Sequence, residues 1–252
     1  MSILQKDPRV VSVVFTVNQN VSRFCSKWGV RSLSTPSSNK YGLPIFRDLL
    51  RKAQSSYPGY LITYINSDIL ISPRAIKVAL AMSKSLTPGK YFFGSRVLSA
   101  NMGSLSAMSI LNYQHFLNKA IGVMRHYRSC DVFIFPPEFD FSFLGQVVVG
   151  RWYIDNVVMD HIHLNHYDLI DLTHTISVHQ GFETSGSKTR LAGEDFNWNK
   201  RYLHSKNIEK TFFLYNKLVC YYSVCLVIFF LLLYCCQVFS HQESLNILQT
   251  NS

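Results

Sequence analysis

The chain has 252 residues, a formal charge of +10 and 48% hydrophobic residues, which suffices for one large domain with a sizeable core. Its positive charge favours anionic partners, such as phosphorylated molecules or an acidic membrane surface. It contains no dense Lys/Arg cluster with interleaved aromatic residues, so we expect no nucleic-acid partner. Only Cys25 and Cys130 lie outside the apolar C-terminal region, and they predict neither a disulfide scaffold nor a zinc ribbon.

Strand-like and helix-like segments alternate along most of the chain. The predicted strands are 10–17, 60–65, 90–98, 130–137 and one or two strands in 168–180. The predicted helices begin at Pro44 and at Ser72-Pro73, the latter ending near Lys84, and two more cover most of 105–127 and 153–164. This alternation, with near-continuous apolar strands, predicts an α/β fold of Rossmann type with a mostly parallel sheet flanked by helices.

Polar residues interrupt the apolar run 60–72, "YLITYINSDILIS", at Asn66, Ser67 and Asp68. Ligands of open α/β sheets bind beyond the carboxyl ends of the strands, where this turn and Asp131 are expected to lie. A carboxylate there suits a divalent metal that contacts a diphosphate. Asn and Asp are also favoured in ordinary turns, so the segment by itself leaves both interpretations open.

Four motifs follow one another at modest spacing: "INSD", "CDVFIFP", "GRWYIDN" and "LIDLTHTISVHQ". Their order resembles that of the GT-A family, the nucleotide-diphospho-sugar transferases, and the likeness extends from about Val10 to Leu203. The resemblance implies a GT-A-like domain over residues 1–205 that binds a nucleotide-sugar donor. Such an enzyme transfers the sugar to a hydroxyl of a glycan, lipid or protein acceptor.

The resemblance also implies roles for individual residues. Asp68 and His179 would hold a divalent metal, Mn²⁺ or Mg²⁺, and Asp155 would be the base that deprotonates the acceptor. The residues that would bind substrate or phosphate are Asn66, Asp131, Arg151 and Trp152. A helix N-terminus is expected to keep Asp155 charged.

Each of these residues also has a purely structural interpretation. His179 could be a hydrogen-bonded structural histidine, and Asp155 could be an acid that only stabilises a helix dipole. Arg151 could form an ion pair, and Trp152 could belong to the core. The neighbouring cluster of His161, His163 and His166 matches no zinc spacing and predicts a solvated helix end.

Asn66 stands where many members of the family carry Asp, and a neutral amide binds a metal less strongly than a carboxylate does. The alternative function is therefore a catalytically inactive adaptor that retains the transferase fold. A nucleotidyltransferase is a third interpretation. It would require a Gly-rich loop after the first strand, and "TVNQNVSRF" lacks the glycines.

The C-terminal region predicts a membrane anchor. Residues 218–239 contain no charged side chain and would span about 33 Å as a helix, which is long enough to cross a bilayer. A basic linker at 206–217 precedes this span, and a short tail at 240–252 follows it. We expect a single-pass protein of an endomembrane such as the ER or Golgi.

The side of the membrane that the large domain occupies is open. The positive linker places the domain in the cytosol by the positive-inside rule, whereas related transferases usually work in the lumen. Asn20-Val21-Ser22 is a glycosylation sequon, and a glycan on Asn20 would establish a lumenal domain.

Overall fold

The computed structural model describes residues 7–66, 69–100, 110–125, 129–175, 178–180 and 197–205, all within one compact unit. The helices are α1 (Gln19–Lys27), α2 (Phe46–Ser56), α3 (Pro73–Met82), α4 (Ile110–Asn118), α5 (Ile154–Leu164) and α6 (Trp198–Ser205). The strands are β1 (Val13–Phe15), β2 (Arg31–Leu33), β3 (Ile62–Ile65), β4 (Ile69–Leu70), β5 (Tyr91–Ser95), β6 (Leu98–Ala100), β7 (Val123–Met124), β8 (Val132–Phe135), β9 (Asp168–Asp171) and β10 (Val178–Gln180).

The central sheet has four strands in the order β3-β8-β5-β9. Strands β3, β5 and β9 run in one direction, and β8 runs in the opposite direction between β3 and β5. The α/β class and the flanking helices are therefore confirmed, but the sheet is mixed. The expected mostly parallel pairing was wrong because β8 inserts antiparallel, so that only β5 and β9 pair in parallel within this sheet.

Two further sheets occur in the described part of the chain. Strands β1 and β2 form a parallel pair, and the other sheet has the order β4-β10-β6-β7. Each of three central strands is followed in the chain by a strand of that second sheet: β3 by β4, β5 by β6, and β9 by β10. The chain thus leaves the central sheet three times at the same edge, which is the carboxyl edge of its three parallel strands.

Hydrophobic cores cover both faces of the central sheet because its strands alternate in side-chain direction. Phe133 and Phe135 of β8 pack on the face that α2 and α5 cover, whereas Val132 and Ile134 pack on the face that α3 and α4 cover. All four residues of β8 are buried. This two-sided burial explains why the strand reads as a continuous apolar run.

The local signals of the sequence act as expected at α3. The hydroxyl of Ser72 accepts a hydrogen bond from the backbone N–H of Arg74 at 3.1 Å, and Pro73 occupies the first helical position. Two other predictions were incomplete. The predicted strand 90–98 divides between β5 and the start of β6, and the predicted helix over 105–127 gives α4 followed by β7 within its described residues.

The predicted membrane span, residues 218–239, lies outside the described residues and stays a prediction. Across the described ranges, which end at residue 205, no helix combines the length and the apolar character that a bilayer crossing requires. The basic linker and the C-terminal tail also lie outside these ranges.

We predict that Phe135→Ala lowers the free energy of unfolding by about 3–5 kcal/mol, because it empties a large buried site. The Phe135 ring is fully buried, with ring centroids 5.3 Å from Phe92 and 5.1 Å from both Phe139 and Phe141. Phe24 is 63% exposed, so Phe24→Ala should change this free energy by about 0.5 kcal/mol or less. Denaturant unfolding of both variants measures the difference, and equal losses would contradict it.

Candidate functional site

The candidate site lies at the carboxyl edge of the central sheet. Asn66 follows the end of β3, Arg96 follows β5, and Asp171 is the last residue of β9. Asp131 precedes β8 and reaches the same edge because β8 runs antiparallel. The backbone N–H of Asp131 donates to the carbonyl of Ser95 at 3.0 Å, which fixes Asp131 beside the end of β5.

Asp155 approaches this edge from α5, where it is the second helical residue. Burial is the main cause that raises the pKa of its carboxyl to about 6, and the charge of Asp131 raises it further. Backbone N–H groups of Asn156 and Cys130 donate to the carboxylate and partly offset this rise. Burial therefore outweighs the effect of the helix N-terminus on this pKa, although a pKa of about 6 still leaves the carboxyl mostly ionised at neutral pH.

Asp131 forms an ion pair that the sequence did not suggest. The Nη1 atom of Arg125 lies 3.0 Å from its Oδ1 atom, and the Asp131 side chain is only 11% exposed. The thiol of Cys130 beside it has a pKa well above its ordinary value, chiefly because of burial and then because of the Asp131 charge. Cys130 is therefore an inert core residue, whereas Asp131 and Asp155 place two interacting carboxyl groups at the sheet edge.

Asp171 and Thr173, in the "LIDLT" motif, make local structural contacts. The Oδ1 atom of Asp171 accepts the backbone N–H of Thr173 at 2.8 Å, where a 3-10 helix (Thr173–Thr175) begins. The Thr173 hydroxyl oxygen accepts the backbone N–H of Arg96 at 3.1 Å. These bonds join the ends of β5 and β9, whereas the Oδ2 atom of Asp171 is buried and has no hydrogen-bond partner among the described residues.

Asn66 is exposed, and both its side chain and its backbone carbonyl accept hydrogen bonds. Its side-chain oxygen accepts from the Tyr64 hydroxyl at 3.0 Å, and its carbonyl accepts from the backbone N–H of Ile69 at 3.1 Å. Asp68 lies outside the described residues, so its predicted metal contact stays a prediction.

The backbone of His179 lies next to the strand that follows Asp68. In the antiparallel pairing of β10 with β4, His179 is the partner of Ile69. The two positions predicted to bind metal are far apart in the sequence, yet the fold places His179 opposite the residue directly after Asp68. The backbone pairing thus brings His179 close to the start of β4, while Asp68 itself lies outside the described residues.

The segment Gly150–Tyr153 carries Arg151 and Trp152 into the start of α5. Arg151 donates from Nη1 to the Gly150 carbonyl at 2.7 Å, and Trp152 is 58% exposed, so the core interpretation of Trp152 was wrong. Tyr153 has a φ of 74°, which is uncommon for a non-glycine residue. Backbone strain of this kind is often found at functional sites.

A buried side chain from α6 holds this segment, and no pattern in the sequence predicted it. Asn199 is fully buried; its Oδ1 atom accepts the N–H of Val148 at 2.9 Å. Its Nδ2 atom donates to the carbonyls of Val148 at 3.0 Å and Trp152 at 3.1 Å. The neighbouring Trp198 donates from its indole nitrogen to the Gln146 carbonyl at 2.7 Å.

The histidine cluster of α5 divides into two kinds of environment. His163 and His166 are exposed, as expected for a solvated helix end. His161 instead stacks on Phe143 with ring centroids 3.7 Å apart, and burial lowers its pKa. Among the residues that the structure describes, no three His, Cys, Asp or Glu side chains are arranged to hold a metal.

We predict that Asp155→Asn stabilises the fold above pH 6. The folded carboxyl has a pKa of about 6 against an ordinary value of 3.8, so stability falls as the pH rises through this window. Asn cannot ionise, and its oxygen can accept the same hydrogen bonds. The free energy of unfolding should therefore rise by up to about 3 kcal/mol above pH 6 and change little below pH 4.

Denaturant unfolding over a pH series measures this effect, and Asp140→Asn is its control. Hydrogen bonds from the side chain and backbone of Ser142 lower the pKa of Asp140, so its ionised form is favoured in the fold. The control should lose stability above pH 4 rather than gain it. A gain of the same size in both variants would contradict the assignment to Asp155.

We also predict that Asn199→Ala destabilises the fold by about 2–4 kcal/mol, because it leaves buried backbone groups of Val148 without partners. The amide of Val148 should lose its protection from hydrogen exchange. Asn197→Ala is the matched control, since Asn197 is exposed and directly precedes the same helix. Unchanged protection of Val148 in the Asn199 variant would contradict this role.

Comparison with known proteins adds no family to this description. The chain matches no protein-family model, and no curated protein is significantly similar to it. The resemblance of the four ordered motifs to GT-A transferases therefore stays an expectation from the sequence. The geometry of the sheet edge is the basis for the function proposed next.

Proposed function

We propose that the chain is a nucleotide-diphospho-sugar transferase with a GT-A-like domain, which moves a sugar to a hydroxyl acceptor with the help of a divalent metal. The observation that carries this proposal is the pairing of β10 with β4. It sets His179 opposite Ile69, the residue after Asp68, and Asp68 and His179 are the two residues to which the resemblance assigns the metal. A bound diphosphate would then lie beyond the carboxyl edge of the central sheet.

Asp155 has the properties that a general base requires. Its carboxyl group has a pKa of about 6, so it is mostly ionised at neutral pH and can still take up a proton. In the proposed reaction, Asp155 takes the proton of the acceptor hydroxyl. The hydroxyl oxygen bonds to the anomeric carbon of the donor as the bond from that carbon to the nucleotide diphosphate breaks.

Other residues of the edge would position the substrates. The exposed ring of Trp152 offers a face for a sugar, and Arg151 beside it offers a cation for phosphate. Asn66 and Asp131 provide further polar groups, with Asp131 held by Arg125. Mn²⁺ or Mg²⁺ held by Asp68 and His179 would neutralise the leaving diphosphate.

The predicted anchor at residues 218–239 places this activity at a membrane in our proposal, with an endomembrane as the expected site. The acceptor would be a hydroxyl of a glycan, lipid or protein. A glycan on Asn20, which is exposed in the first turn of α1, would establish that the domain is lumenal.

A specific contact favours the second candidate, an inactive adaptor with the same fold. The Asn66 side-chain oxygen already accepts a hydrogen bond from Tyr64, and an amide adds no charge for a metal. An adaptor would keep the fold and capture a partner without turning over a donor. The same experiment separates the two candidates.

We predict that the full chain in detergent binds UDP- or GDP-sugars in the presence of Mn²⁺ and hydrolyses or transfers the sugar. Asp68→Asn and His179→Ala should each weaken Mn²⁺-dependent binding by about 10-fold to 100-fold, measured by calorimetry. His163→Ala, which removes an exposed histidine elsewhere, should leave binding unchanged. Binding without turnover would support the adaptor, and no Mn²⁺-dependent binding of any donor would contradict the transferase.

A further inference from the structure

Helix α1 presents an apolar surface that the described part of the protein leaves uncovered. Val21 is 40% exposed, Phe24 63% and Trp28 56%, and Val17 just before the helix is 82% exposed. Within α1 itself only Cys25 is buried. The spacing of Val21, Phe24 and Trp28 by three and four residues puts them on one side of the helix.

The two aromatic residues on this side form a pair. The rings of Phe24 and Trp28 lie with their centroids 6.4 Å apart. Trp28 is the residue that ends the helix, so its amphipathic indole lies at one end of the apolar side. We call Val17, Val21, Phe24 and Trp28 the α1 surface.

The charged residues of α1 are all basic. Residues 8–47 contain six Lys or Arg residues and no Asp or Glu, and two of these cations, Arg9 and Arg47, form ion pairs with Asp7 and Asp48 at the ends of this range. Arg23 and Lys27 of α1 are exposed, and neither takes part in the ion pairs found among the described residues. A helix with exposed aromatic residues and flanking cations complements a surface that is anionic outside and apolar beneath.

We propose that the α1 surface binds the interface of a bilayer that contains anionic phospholipids. Phe24 and Trp28 enter the boundary between headgroups and acyl chains, and Arg23 and Lys27 contact the lipid phosphates and carboxylates. Three features favour lipid over a protein groove: the absence of acidic residues from α1, the Trp at the helix end, and an apolar C-terminal segment in the same chain. This inference is independent of the proposed transferase activity.

Binding at this surface would hold the domain against the membrane by a second contact, separate from the predicted span. The contact is electrostatic in part, so it should weaken as salt rises and screens the charges. Each Lys or Arg near an anionic surface contributes roughly a fivefold change in the binding equilibrium.

Tryptophan quenching by lipid tests the proposal with a matched control. The full chain is placed in phosphatidylcholine bilayers with brominated acyl chains, with or without phosphatidylserine. Trp28 and Trp152 are exposed to nearly the same extent, 56% and 58%. We expect phosphatidylserine to increase quenching, Trp28→Phe to abolish most of that increase, and Trp152→Phe to leave it intact.

The charge variant gives a second, independent readout. Arg23→Gln with Lys27→Gln should reduce the phosphatidylserine-dependent quenching, and raised salt should reduce it in the unchanged chain. Quenching that is absent, or that survives Trp28→Phe, overturns the proposal. Shielding of Trp28 from acrylamide without quenching by brominated lipid also overturns it, because a protein contact would then cover the α1 surface.

Discussion

Strand β8 runs antiparallel between β3 and β5. Its hydrogen bonds to both neighbours determine the position at which β8 begins in the central sheet. A strand buried on both faces must pair along both edges, because unpaired backbone groups in the core are costly. The register of β8 therefore cannot shift without a loss of hydrogen bonds to β3 or β5. As a result Asp131, just before β8, lies at the edge where β3 and β5 end, and the aromatic residues of β8 order the core beneath it.

The two carboxyl groups at this edge illustrate how environment separates residues of the same type. Asp131 is held by the guanidinium of Arg125, whereas Asp155 accepts hydrogen bonds from backbone N–H groups. Asp131 thus has a charged partner, whereas the carboxyl of Asp155 has a pKa of about 6, close to neutral pH. Pairs of this kind divide acid and base roles in enzymes. Ionisation of Asp155 lowers the stability of the fold, and this cost fits the role of a base that we propose for Asp155.

Local patterns in the sequence predicted the elements that local interactions determine. The Ser72-Pro73 start of α3, the apolar run of β8 and the helix that carries Asp155 were all correct within a few residues. Helix α1 was missed although Val21, Phe24, Cys25 and Trp28 recur at helical spacing, because this short apolar stripe lies among Ser, Asn and Gln residues that are typical of a loop. At the site, the sequence identified Asp131 and Asp155, but it gave no sign of Arg125. Three features depend on tertiary structure and cannot be read from local sequence patterns. They are the ion pair of Arg125 with Asp131, the antiparallel direction of β8, and the burial that raises the pKa of Asp155.

Asn199 lies late in the described chain, yet it holds a segment that comes much earlier, between Val148 and Trp152. A chain that ended before α6 would keep every strand of the three sheets and all the residues proposed to touch substrate. It would nevertheless lose the side chain that fixes the strained entrance to α5. Shortening the protein from its C-terminal side would therefore leave the scaffold in place while loosening the approach to Asp155, so that folding and site order become separable along the sequence.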